Sequence, residues 1–204
     1  MLTTKSLKGG FTLVEILIAL LLGSLLLSMV VGLYVSNVSA GYKALQFSQL
    51  RTDLQGLVAL MEDDIRRAGY GGEEFMVGAN SNKVVDTYNS ETKACIVYAY
   101  NYDHSLAISS SHYMGFRYSQ DQMNLQFGRH VNKQASQCFN SGLWYNLSDP
   151  KFLKITLLYF NESVSVHSFA RFRSVDISIS AELASDDDYR YQMTTRVKAR
   201  NPEP

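Results

Sequence analysis

From Phe11 to Val35 the chain reads FTLVEILIALLLGSLLLSMVVGLYV, and nothing else in it constrains folding as strongly. Glu15 is the only acid in this run, which contains no Lys, Arg, His or Pro. As a helix it would be roughly 37 Å long, against a hydrocarbon core of ~30 Å. Its apolar residues go all the way round, the pattern of a helix without a watery face. A fully buried core helix of this length does not suit a chain of 204 residues. The segment 11–35 reads as a membrane span.

The flanks orient it. Lys5 and Lys8 precede the span, and residues 1–10 hold no acid. By the positive-inside rule the N-terminus stays cytoplasmic and everything after about residue 36 lies across the membrane. An ordinary secretory signal has a shorter apolar region followed by a small-residue cleavage site. Here the small pair Gly9-Gly10 comes before the apolar run. Cutting there would remove a basic leader, residues 1–10, and keep the whole span.

That order of parts, Lys8-Gly9-Gly10-Phe11-Thr12-Leu13-Val14-Glu15, resembles the processing and methylation motif of type IV prepilins and type II secretion pseudopilins. The resemblance implies cleavage between Gly10 and Phe11 by a membrane aspartyl prepilin peptidase, then N-methylation of Phe11. Glu15 would be the motif's acidic residue. A carboxylate within hydrocarbon costs a few kcal/mol and normally marks a function with a named partner. Glu15 lies about 6 Å along the helix from the cut end, so a tolerated interfacial charge is the simpler reading. The functional reading pairs it with the new amine of Phe11, and the resemblance places that amine on a neighbouring subunit, where the pair sets axial register.

Beyond the span the helix changes character over 36–70. Phe47, Leu50, Leu54, Leu57, Met61, Ile65 and Ala68 recur at spacings of three and four, an amphipathic stripe. Glu62, Asp63 and Asp64 with Arg66 and Arg67 read as helix-face charges and intrahelical pairs. Gly69-Tyr70-Gly71-Gly72 stops the helix, which from Phe11 would be ~87 Å long. Gly32, Gly41 and Gly56 are its weak points.

From residue 73 to 204 the period shortens to two. Cys95–Tyr100, Tyr113–Tyr118 and Asn124–Arg129 read as strands, the last two forming a hairpin through Ser119-Gln120-Asp121-Gln122. Lys154–Phe160 follows, with Ile155, Leu157 and Tyr159 on one face. Val175–Leu183 and Tyr191–Val197 alternate apolar with polar residues around an acidic turn, Ser185-Asp186-Asp187-Asp188. The expected fold is α+β: a long N-terminal helix whose second half packs on an antiparallel sheet domain, as in type IV pilins.

Cys95 and Cys138 both fall on the far, oxidising side by this topology, which favours a disulfide worth roughly 3–4 kcal/mol. The alternative is two unrelated buried thiols. No catalytic pattern emerges, for His104, His112, His130 and His167 sit at unrelated spacings and no nucleophile elbow or phosphate loop occurs. No cofactor or metal site is expected, the three-aspartate run lacking the ligand spacing of a calcium loop. Nineteen basic against nineteen acidic residues remove any whole-chain argument for nucleic acid, so no specific nucleic-acid partner is expected.

Further motifs narrow the resemblance. Asp64-Ile65-Arg66-Arg67-Ala68-Gly69-Tyr70, Ala94–Tyr100, Gly115-Phe116-Arg117, Cys138 shortly before Trp144, and the closing Arg196–Asn201 are similar to PilW-type minor pilins of Gram-negative bacteria. One departure is that Tyr70-Gly71-Gly72 is not followed by a cysteine, as it often is in that group. The resemblance implies a low-abundance, non-enzymatic subunit of the inner membrane that later enters the fibre and helps prime pilus assembly near the tip. Its partners would be other minor and major pilins, the prepilin peptidase and the inner-membrane assembly platform. The competing readings are a J-type pseudopilin of type II secretion and a permanently anchored periplasmic binding domain.

Overall fold

A computed structural model describes residues 10–167 and 170–204. The leader residues Lys5, Lys8 and Gly9 lie outside the described residues. The chain divides into two compact units, 1–45 and 46–204. A single helix, α1 (Leu13–Arg67), runs through the first and into the second, unbroken at Gly32, Gly41 and Gly56.

In the second unit Leu50, Leu54, Val58, Met61 and Ile65 of α1 are buried. The stripe is close to the expected one, shifted at one turn. Val58 takes the interior place assigned to Leu57, which is only half-buried. The helix stops at Gly69, whose φ of +76° is a left-handed conformation open to glycine, and where an added Cβ would lie 2.7 Å from Val84 Cγ1. Asn201 Nδ2 donates to the carbonyls of Ala68 (2.8 Å) and Arg67 (3.3 Å), capping the helix end from the far end of the sequence.

Among the described residues eight strands form two antiparallel sheets. The first has β1 (Val85–Asn89), β2 (Lys93–Ala99), β3 (Tyr113–Ser119), β4 (Asn124–Arg129) and β5 (Leu143–Asn146) in that spatial order. The second has β6 (Leu153–His167), β7 (Ala170–Leu183) and β8 (Asp186–Lys198). The expected β3–β4 hairpin is present, with Phe116 opposite Phe127. The short strands β1 and β5 were not anticipated.

The main core lies between α1 and the sheets. Ala94, Ile96 and Tyr98 of β2 face it with Met114, Phe116 and Tyr118 of β3 and the alternate residues Val175–Leu183 of β7. The other face of β2 carries Cys95, Val97 and Ala99 into a second cluster, where Cys95 is disulfide-bonded to Cys138. Trp144 lies across Gly128, its direct cross-strand partner, so closely that a Cβ there would sit 2.6 Å from the indole. Arg117 Cζ stacks 4.2 Å above that indole and 5.4 Å from the Phe139 ring.

Two expectations need correction. Leu157 and Tyr159 do not share a face with Ile155; they are exposed, while Ile155, Leu158 and Phe160 are buried. The cause is a β-bulge between Ile155 and Leu157, where Thr156 is an extra residue and alternation inverts beyond it. Nor is Ser185–Asp188 the turn between the last strands: the chain reverses at Ala184-Ser185, and Asp186 already pairs with Leu183.

Candidate processing and assembly site

Gly10 and Phe11 precede the helix in non-helical backbone, and Phe11 is 82% exposed. Thr12 caps α1. Its Oγ1 accepts the Glu15 backbone N–H at 3.3 Å, while Glu15 Oε2 accepts the Thr12 N–H and hydroxyl, each at 3.0 Å. This is a reciprocal capping box, and the Thr12-x-x-Glu15 spacing was a readable signal for it that the prepilin motif overshadowed. The carboxylate therefore sits at the helix N-terminus, where the macrodipole favours negative charge.

Two chemical consequences follow. The Gly10–Phe11 peptide bond lies outside helical hydrogen bonding, and nothing stands within 4 Å of where a Gly10 Cβ would be. A protease groove can take such a bond in extended form. Were it cut, the α-amine of Phe11 would be a cation next to a helix N-terminus, which the dipole disfavours. Glu15 is the only acid between residues 10 and 45 that could neutralise it.

The rest of the first unit offers apolar surface. Leu17, Leu20, Leu21, Val30 and Leu33 are more than half exposed on different sides of α1. Ser24 and Ser28 turn their hydroxyls back onto the carbonyls of Leu21 (2.9 Å) and Ser24 (2.8 Å), so neither requires water.

In the second unit the charged cluster at the end of α1 partly departs from the sequence reading. Glu62 and Arg66 pair at 3.2 Å as expected, and Glu62 also accepts the Thr195 hydroxyl at 2.5 Å. Asp64, expected on the helix surface, is buried and accepts hydrogen bonds from Tyr98 (2.8 Å) and Tyr100 (3.3 Å). Burial, and then the Asp64 charge, push the Tyr98 hydroxyl well above its ordinary pKa, keeping it a donor.

The histidines are not all isolated. His112 is buried and meets Asp103 Oδ1 through Nε2 at 2.9 Å, while its Nδ1 lies 3.0 Å from Ser109 Oγ. The Ser109 backbone N–H also donates to Nδ1 at 3.0 Å, so Nδ1 is the acceptor and Nε2 carries the proton. With its lone pair already used by an amide, the imidazole clamps the 101–112 loop. Among the described residues no group of three or more His, Cys, Asp or Glu could hold a metal ion.

An exposed apolar helix opening on G-F-T-L-V-E, followed by an α+β domain of antiparallel sheets, defines a type IV pilin-like protein of the prepilin class. The model of the prokaryotic N-terminal methylation motif matches residues 5–31. The family model described as prepilin peptidase-dependent protein B matches residues 43–199. The chain belongs to that family, and its helix suits membrane anchoring of a prepilin-type protein. No curated protein and no solved structure matches it.

Proposed function

We propose that this protein is a minor pilin, a structural subunit with no catalytic role that helps prime type IV pilus assembly, near the fibre tip. The prepilin peptidase removes residues 1–10, Phe11 is N-methylated, and residues 11–35 hold the subunit in the inner membrane with residues 71–204 in the periplasm. The assembly platform then extracts it alongside other minor and major pilins. The observation that carries this reading is the all-round apolar segment 11–35, whose one carboxylate, Glu15, stands four residues after Phe11, the residue that follows the bond to be cut.

Mass spectrometry of the N-terminus from membranes and sheared pili tests it. The expected product begins at N-methylated Phe11, and Gly10→Val should leave uncleaved, membrane-retained precursor with few or no pili. A protein that keeps residues 1–10 in the wild type would instead be a permanently anchored domain.

A further inference from the structure

Where α1 ends, Arg66, Arg67 and Arg200 meet Tyr70, Tyr100 and Tyr102 around an open cleft of about 400 Å³. We propose that this cleft binds a nucleotide unit, a phosphate-bearing group carrying a planar base. The proposal is independent of fibre assembly, because every residue in it belongs to the second unit.

Three observations carry it. The first is positive charge that the neighbouring acids answer only in part. Among the described residues Arg200 makes no ion pair, and Arg67 stands 3.9 Å from Asp64, whose oxygens Tyr98 and Tyr100 already occupy. Arg66 shares one nitrogen with Glu62 and keeps 43% of its side chain exposed. Planar guanidinium groups with free N–H donors suit phosphate oxygens.

The second is aromatic surface beside that charge. Tyr70 is 50% exposed, and Tyr102 is 44% exposed while one side of its ring packs on Tyr100 and His112. Arg67 lies 5.7 Å over the Tyr100 ring, and Tyr102 meets that ring edge-on at 80°, so the cleft offers ring faces in two orientations beside a guanidinium. Base-on-tyrosine stacking beside cations is how single strands are held without sequence preference, whereas an acidic peptide gains little from exposed rings. The volume lies within the range of small-ligand sites.

The third answers an objection, since a helix C-terminus by itself repels anions. Here its last carbonyls are taken: Arg66 O by the Arg200 N–H (3.1 Å), Arg67 O and Ala68 O by Asn201. Other nearby carboxylates are engaged too, Glu62 by Arg66 and Thr195, Asp103 by His112. A net charge of zero over the chain averages such a local cluster away, which is why composition excluded this partner.

The test uses full-length protein in detergent micelles at low ionic strength, titrated with fluorescein-labelled oligothymidylate or with thymidine monophosphate. Oligothymidylate should bind, more weakly as salt rises. Arg200→Gln and Tyr70→Leu, both surface changes, should each weaken binding roughly tenfold with the melting temperature unchanged. Saturation by the monophosphate would identify a free nucleotide as the source, and binding of the oligomer alone a single strand. Absence of binding, equal binding by both variants, or displacement by hexaglutamate at the same concentration would overturn the proposal, the last by marking an acidic-peptide surface.

Discussion

Thr12 gives Glu15 two hydrogen bonds, which creates a choice of roles that substitutions can separate. If the carboxylate served only as a helix cap, Gln would replace it, since Gln also completes a capping box. If its charge holds the Phe11 amine, Gln would not serve, because in a low dielectric the ionic attraction exceeds what a neutral amide offers. Glu15→Gln should therefore be inserted and cleaved but lose co-purification with partner pilins. Thr12→Ala, which weakens the cap by about 1 kcal/mol and leaves the charge, should retain them. The reverse pattern would make Glu15 a cap alone. Asp103 supplies a pH prediction at the same scale. Its hydrogen bond from His112, aided by the Ser105 N–H, lowers its pKa from 3.8 to about 2. A depressed carboxylate pKa adds stability that is present above the ordinary value and lost as pH falls through the folded one. The 101–112 loop should thus stay protected from hydrogen exchange at pH 4 and loosen toward pH 2. Asp103→Asn should loosen it at neutral pH and remove that acid step. An unchanged step in the variant would assign it elsewhere.

Among the elements, α1 was the most legible and its detail the least. Spacings of three and four located Leu50, Leu54, Met61 and Ile65, because periodicity reports a face directly. Periodicity could not choose between adjacent Leu57 and Val58, or show that Asp64 lies inward, since that depends on tyrosine hydroxyls over thirty residues away. In β6 one extra residue reversed the faces beyond Thr156, and no local composition announces a bulge made of ordinary strand formers. The strands β1 and β5 escaped for a related reason: VDTYN and LWYN are too short to display alternation. The candidate site divided in the same way. The expectation at Gly10, Phe11 and Glu15 rests on a linear motif, whereas no motif announces the His112 clamp, whose members converge only in three dimensions. A comparison of two leucines on α1 tests the division of labour along the helix. Leu54 is fully buried and Leu26 is 64% exposed. Leu54→Ala should cost about 2–5 kcal/mol in denaturant unfolding of the detergent-solubilised protein. Leu26→Ala should leave that transition unchanged. Equal effects would mean that the first unit contributes to the measured core.

At the scale of the folded second unit, the two sheets and the C-terminal residues meet at one guanidinium. Arg173 of β7 donates from Nε and Nη2 to Glu203 at 2.5 and 2.9 Å, and from Nη1 to Glu162 of β6. Glu203 accepts the Val84 N–H at 3.0 Å, and Glu162 accepts the N–H and hydroxyl of Thr87 on β1 at 2.7 and 2.6 Å. The network joins the edge of one sheet to the body of the other and fixes the last residues against both. Burial alone would lower the Arg173 pKa, but Glu203 and Glu162 outweigh it and raise the value, so the group stays charged. Sequence reading missed this centre because Glu162, Arg173 and Glu203 are separated by 11 and 30 residues and show no motif. The energetics are asymmetric. A buried ion pair adds little over an apolar replacement of both partners, yet removing one partner strands the other's charge. Arg173→Met would strand the buried Glu203 and leave Glu162 only Lys83, 3.8 Å away, and should cost about 3–5 kcal/mol. Glu203→Gln should cost less, because Glu162 still balances the guanidinium and an amide oxygen can accept the Val84 N–H. Arg173→Lys should fall between them, keeping the charge and losing the two-pronged geometry. Denaturant unfolding of the three variants beside the wild type gives the order, and an Arg173→Met protein as stable as the wild type would show that the sheets are held together by their apolar faces alone.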